Sequence, residues 1–267
     1  ILGVFVTWIF STALSNKTDI KVLDEKIGNL QNILQKEGEI EQIKINSKLQ
    51  KLYNYVKNID KIKSTFSGDV DFLLFNYSNN DFSEFSDVCV VKEPGIIGQF
   101  IFKHLTPENL KSYDYVILMT DDILLSTNFN IDKMLSIYND NELNILSPSL
   151  TKDSKCYHNG FMLERDEFKG KLRITNFCEY FFYVMDLKSY TRYYQLFDNK
   201  TYWLWGIDLC LDIKAFKMGI LNDFKIKHHY ISESYNKNLP NPHIEMKSKK
   251  LLFGRIDRMR NKHIVSE

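Results

Sequence analysis

Tyr115-Val-Ile-Leu-Met-Thr-Asp-Asp122 is the stretch that decides how this chain folds. Five apolar residues run without a break and stop in two adjacent carboxylates. Such a run, with no polar alternation, reads as a parallel strand buried on both faces. Asp121 and Asp122 then lie at its carboxyl end, where open α/β sheets collect their ligands. Two acids there can hold a divalent cation, and the cation can hold a diphosphate. The plainer reading is an Asp pair that caps the next loop or helix.

The flanking sequence alternates strand and helix patterns. Asp69 opens a strand through Phe75 that runs into Asn76 and Tyr77, and Asp87 to Val91 forms a second. Ile96 to His104 reads as a helix, and Thr106-Pro107-Glu108 as the start of another, with Thr as cap and Pro in the first position. Ile131 to Tyr138 has apolar residues at helical spacing, and Asn144 to Leu146 is a strand ending at Pro148. From about residue 159 strands follow in close succession: Gly160 to Leu163, Leu172 to Thr175 and Tyr180 to Met185. The alternation predicts an α/β fold with a mostly parallel mixed sheet flanked by helices.

A second acid stands out in Trp203-Leu-Trp205-Gly206-Ile-Asp208, just ahead of a helical pattern from Leu209 to Phe216. A carboxylate at a helix start sits in the positive field of the helix dipole and stays ionised, ready to act as a general base. The plainer reading makes Asp208 an N-cap and the two Trp residues core. A predicted strand from Asp223 to Lys227 leads into His228 and His229. Adjacent strand side chains point to opposite faces, so one of the two His can face a metal.

Four segments together resemble the DUF707 family. Leu105-Thr-Pro107 through Tyr113-Asp-Tyr115-Val-Ile-Leu-Met-Thr-Asp-Asp122 is similar to its "LHP…YDYIFLWDED", and Asn144 to Leu150 to its "ISQPAL". Trp205-Gly206-Ile207-Asp208-Leu209 is similar to "GWGLD", and Met218-Gly219 through Asn222, with His228, to "VGVVD…H". Order and spacing hold over residues 69 to 232. The resemblance implies a GT-A-like (Rossmann-like) glycosyltransferase, similar to glycan-building domains of large algal viruses. It implies Asp122, with Asp121 and His228, as ligands of Mn or Mg. Asp208 becomes the catalytic base, and Asn76, Tyr77, Lys103, Glu179, Trp205 and Gly206 surround a nucleotide-sugar donor and a glycan acceptor. Tyr77 would stack on the base, Lys103 would approach a phosphate, and Glu179 would contact a sugar; pairing with Arg173 is the alternative for Glu179. The expected reaction is inverting sugar transfer to a glycan hydroxyl. Thr120 departs from the family's Asp-x-Asp motif. That departure keeps open a catalytically inactive carbohydrate-binding or scaffold protein.

Composition sets outer bounds. The 267 residues are 44% hydrophobic and 26% charged, enough for one sizeable core. A net charge of +1 argues against bulk electrostatic binding to nucleic acid. Cys89, Cys156, Cys178 and Cys210 lack zinc-site spacing; Cys156 and Cys178 are candidates to pair in a luminal domain.

Residues 1–15 carry no charge and read as a truncated membrane anchor, with a signal peptide or a buried first helix as alternatives. Residues 16–66 read as a helical stalk. Leu23, Ile27, Leu30 and Leu34, then Ile45, Leu49, Leu52, Val56 and Ile59, mark a seam that fits a short coiled coil and a homodimer, or an amphipathic helix packed on the catalytic domain. Residues 67–267 form the catalytic domain in this reading. An anchor and stalk ahead of such a domain imply a type II membrane protein of a Golgi or ER lumen, or a virus-encoded equivalent. The basic stretch Lys247 to Arg260 would close over a diphosphate, touch anionic lipid, or form a solvated helix face.

Overall fold

The structure, a computed structural model, describes residues 3–10, 57–76, 88–93, 95–156, 161–211, 215–229, 241–253 and 264–266. Ten strands among them form one mixed sheet: β1 (Gly3–Phe10), β2 (Asp69–Asn76), β3 (Val88–Lys92), β4 (Tyr115–Met119), β5 (Ile123–Leu125), β6 (Ile145–Leu150), β7 (Leu172–Thr175), β8 (Phe182–Asp186), β9 (Met218–His228) and β10 (Ile264–Ser266). Their order across the sheet is β10-β7-β9-β6-β8-β4-β1-β2-β3, with β5 paired to β9. The helices that accompany them include α1 (Ile97–His104), α2 (Ile131–Asp140), α3 (Leu187–Tyr194) and α4 (Pro242–Phe253).

The 115–119 strand is buried at every position, as its unbroken apolar run predicts. It is parallel to β1 on one side and antiparallel to β8 on the other. Strands β3, β2, β1 and β4 run parallel. Beyond β4, β8 and β7 run against their neighbours, while β6 and β9 are parallel to each other. Directions are therefore mixed in the second half, where the sequence shows strands in close succession.

Residues 3–10 depart from the expected membrane anchor. They form β1, hydrogen-bonded to β2 along one edge and to β4 along the other, a state that excludes a bilayer-spanning helix. An eight-residue apolar run suits a central parallel strand as well as the tip of an anchor, and periodicity alone does not separate them. No helix among the described residues is long and apolar enough to cross a membrane. Most of the stalk, and with it the coiled coil and the dimer, falls outside the described residues.

The described end of the stalk belongs to the domain. Residues 57–65 are helical, and Ile59, Ile62 and Phe66 are buried in the core. Asn58 is buried beside β5: its Nδ2 donates to Ile123 O (2.9 Å) and its Oδ1 accepts from Leu125 N (2.8 Å). The amide thus completes the strand edge that β9 leaves open. Asn58→Ala strands a buried carbonyl and N–H, and is expected to lower unfolding free energy by about 2–3 kcal/mol. A denaturant midpoint equal to wild type would refute that role.

Other local expectations shift in identifiable ways. Thr106 does accept from Asn109 N (3.2 Å), but 107–112 stays a set of turns rather than a helix. Of the expected strand Gly160 to Leu163, the described residues 161–163 contribute a single bridge, Leu163 to Leu150. Pro148 lies inside β6, where the pairing with β9 slips between Pro148 and Ser149. A bulge is where a strand tolerates a residue without an N–H. No disulfide joins Cys156 to Cys178.

Candidate active site

The slip in β9 has a consequence at one edge of the sheet. Met218 to Leu221 pairs with β6 and β7, whereas Ile226 to His228 pairs antiparallel with β5. Ile123 faces His228 in that register, so the residue before it, Asp122, meets the end of β9. His228 Nε2 lies 3.0 Å from Asp122 Oδ2, and His229 N donates to Asp122 O (2.7 Å). Thr120 Oγ1 donates to the other carboxylate oxygen, Oδ1, at 2.6 Å. Thr120 therefore orients Asp122.

The proton positions on His228 follow from its partners. Nδ1 contacts Lys155 O, a carbonyl that can only accept, so Nδ1 carries a proton. Nε2 then presents to Asp122 either a second proton or a lone pair. Burial pulls the imidazole pKa down, but the hydrogen bond and charge of Asp122, the Lys155 carbonyl and Glu179 together hold it above the ordinary value. The protonated imidazole is thereby favoured, and both groups can coordinate a divalent cation once the Nε2 proton leaves. A backbone carbonyl on Nδ1, aiming the Nε2 lone pair, is the usual support for a metal-binding His. The donor set fits a divalent cation held by Asp122 and His228. Among the described residues no three His, Cys, Asp or Glu side chains gather into a complete cage. Ligand oxygens would have to fill the remaining positions, as they do around nucleotide-bound Mg or Mn.

Glu179 joins this pair to the second acid. It is buried in the crossing from β7 to β8. Its charge acts on His228 on one side and on Asp208 on the other. Arg173 is buried too, but points its guanidinium at Phe161 O (3.0 Å) and Leu163 O (3.2 Å).

Asp208 departs from expectation in both structure and charge. A 3-10 turn, Asp208–Cys210, stands where a helix start was predicted, and Asp208 lies within it. The carboxylate accepts from Leu209 N (2.9 Å), with the Gly206 and Asp208 N–H groups also favouring its charged form. Burial outweighs them and Glu179 adds repulsion, so the pKa rises from 3.8 to about 7 instead of staying low. A short turn carries little dipole, whereas desolvation acts in full.

The turn carrying Asp208 is unusual in its backbone. Leu204 (φ 66°) and Gly206 (φ 92°) both adopt left-handed conformations. Gly206 also lies against α4, where an added Cβ would come 3.1 Å from Met246 Cα. Trp205 meets the exposed His243 of α4 edge to face, with centroids 5.3 Å apart. The remaining candidates lie elsewhere or beyond view. Lys103 is ion-paired to Glu93 (2.5 Å), which also meets His104 (2.6 Å), and is mostly exposed. Asn76 ends β2, in register with Lys92, and Tyr77 lies outside the described residues. Sequence reasoning missed Lys155, Ser154 and Phe181 around His228. Ser154 Oγ accepts from His228 N (2.9 Å), and the Phe181 ring sits 4.6 Å from the imidazole. Contacts made through backbone atoms and a single ring leave no motif.

No protein-family model matches the chain, DUF707 included, and no curated protein matches it. Solved structures do. GalNAc-T7, crystallised with UDP, GalNAc and Mn2+, is similar at a TM-score of 0.58 and 9% identity, over 92% of this chain and 48% of that one. The chain therefore spans about half of that protein. Staphylococcus aureus TarS 1-349 with UDP-GlcNAc is similar at a TM-score of 0.49 and 8% identity, over 95% of this chain and 65% of that one. At such low identity the likeness speaks for the fold alone: an α/β mixed sheet with helices, of the GT-A kind.

Proposed function

We propose that this chain is a glycosyltransferase of the DUF707 type, moving a sugar from a nucleotide-sugar donor to a glycan hydroxyl with inversion. The observation that carries the reading is a chain of neighbours on a GT-A-like sheet: Asp122 meets His228 at 3.0 Å, and the charge of Glu179 acts on both His228 and Asp208. Asp122 and His228 would hold Mn or Mg, which would neutralise charge on the departing diphosphate. Asp208 takes the proton of the acceptor hydroxyl as that oxygen bonds to the anomeric carbon and the carbon–phosphate-oxygen bond breaks. A base with a pKa of about 7 is matched to this task near neutral pH. Burial, with added repulsion from Glu179, keeps that pKa high. Thr120 holds Asp122 in place, so its presence is compatible with an active site. A thermal-shift screen of nucleotide sugars with and without Mn tests the reading. Metal-dependent stabilisation by one nucleotide sugar, with slow hydrolysis of it, supports sugar transfer; stabilisation by free glycans and by no nucleotide supports a binding protein instead.

Two pH effects follow. Below about pH 7 the transfer rate under subsaturating acceptor is expected to fall about tenfold per unit, as Asp208 takes up its proton. A flat profile from pH 5 to 8 would remove Asp208 as the base. Metal binding must displace the proton on His228 Nε2, so Mn affinity is expected to rise with pH and binding to release protons. Calorimetry in buffers of differing ionisation enthalpy measures that release, and a buffer-independent enthalpy at pH 6 would contradict it.

A further inference from the structure

The turn bearing Asp208 is gripped from outside by the last long helix. Glu245 is buried on α4, and its Oε2 accepts from Tyr202 N (3.0 Å) and Trp203 N (2.8 Å), immediately before the left-handed pair Leu204 and Gly206. One turn further along the helix, buried Lys249 meets Leu196 O (3.2 Å) and Asp198 Oδ2 (3.1 Å), at the start of the same loop. The opposite side of the loop is fixed by α1. Gly98 N donates to Tyr202 O (2.7 Å), and an added Cβ on Gly98 would lie 2.5 Å from Thr201 O. Between these grips Gly206 passes under the α4 backbone at Met246, and α4 packs on the 208–210 turn.

We infer that Glu245 is a positioning residue for the catalytic base: through the Tyr202 and Trp203 amides it sets the conformation of the turn that aims Asp208. This rests on the sugar-transfer reading for its catalytic consequence, though not for its structural one. A buried carboxylate is a costly way to join a helix to a loop unless the amides it holds must stay in one place. Glu245 Oε1 is buried with no hydrogen-bond partner among the described residues, and burial raises the Glu245 pKa. The interaction therefore uses one acceptor oxygen, and Gln can supply it. Lys249 gives the start of the basic stretch a role apart from phosphate or lipid contact, because its buried ammonium meets the same loop.

The test compares wild type, Glu245→Gln and Glu245→Ala by hydrogen exchange and by kinetics. In Glu245→Ala, amides over residues 201–208 are expected to exchange at least about tenfold faster while β4 keeps its protection, and kcat to fall about 10–100-fold with donor KM within about twofold. Its rate-against-pH midpoint should move, because Asp208 changes surroundings. Glu245→Gln should restore exchange, rate and midpoint. If Glu245→Ala does not fold, Lys249→Met, which frees the start of the same loop and keeps the apolar stem, takes its place with the same signature. Unchanged exchange over 201–208, or a wild-type kcat and pH midpoint in a variant whose loop has loosened, overturns the inference. A wild-type protein that transfers no sugar refutes the proposed reaction instead, and the exchange comparison then decides the role of Glu245 by itself.

Discussion

Asp208→Asn is expected to cut the rate of sugar transfer by roughly 10²–10⁴-fold, the usual contribution of a general base. Donor affinity should stay within about twofold, because Asn keeps the shape and the hydrogen bond from Leu209 N. The same change is expected to stabilise the protein, and the sign follows from the raised pKa. Below about pH 4 the carboxyl is protonated in both folded and unfolded chains, so it costs nothing. Between 3.8 and about 7 the unfolded chain gives up the proton and the folded one keeps it, so wild-type stability falls as pH rises through that window. The neutral amide escapes this. Its advantage over wild type should grow from pH 4 to 7, reach on the order of a few kcal/mol, and then level off. An inactive variant that melts higher at pH 8 and equally at pH 4 identifies a group held in an unfavourable setting for chemistry. Loss of activity together with loss of stability at every pH would mark Asp208 as structural.

Asp122→Ala should have the second largest effect. It removes one donor of the metal pair and the partner of His228 together. Metal-dependent nucleotide affinity is expected to fall by more than the roughly 10–100-fold typical for losing a mere supporting group around a metal. The pKa of His228 should drop in parallel, since the Asp122 charge and hydrogen bond are what outweigh burial there. Histidine NMR titration reads the second effect without any nucleotide. An unchanged His228 titration, or unchanged Mn-dependent binding by calorimetry, would contradict the pairing.

How much of this was legible in the sequence depends on where the physics is local. The run Tyr115 to Met119 predicts its own strand, because burial on both faces demands continuous apolar residues. The cap of α2 came only from the structure: Asn130 Oδ1 accepts from Lys133 N at 2.9 Å. Asp122, His228 and Asp208 were singled out from motif order. The contact of Asp122 with His228 needed the register of β5 on β9, and the slip in β9 pairing at Pro148 and Ser149 is not written in local composition. The run at residues 3–10 was misread because eight apolar residues suit a central strand and a membrane segment alike. The charge state of Asp208 was misread for a different reason. A helix dipole was inferred from sequence, whereas the described residues show a three-residue 3-10 turn at Asp208, and burial, with repulsion from Glu179, decides the matter. Glu245 and Asn58 carried no signal, since each acts on backbone atoms far along the chain.

The central claim is that the metal pair and the base serve one reaction centre. A crystal structure with Mn2+ and an unreactive nucleotide-sugar analogue tests it most directly. The account predicts the cation on Asp122 and His228, the diphosphate on the cation, and the anomeric carbon on the side from which Asp208 reaches an acceptor oxygen. Nucleotide bound away from the end of β4, or an anomeric carbon that no oxygen held by Asp208 could attack, would contradict it.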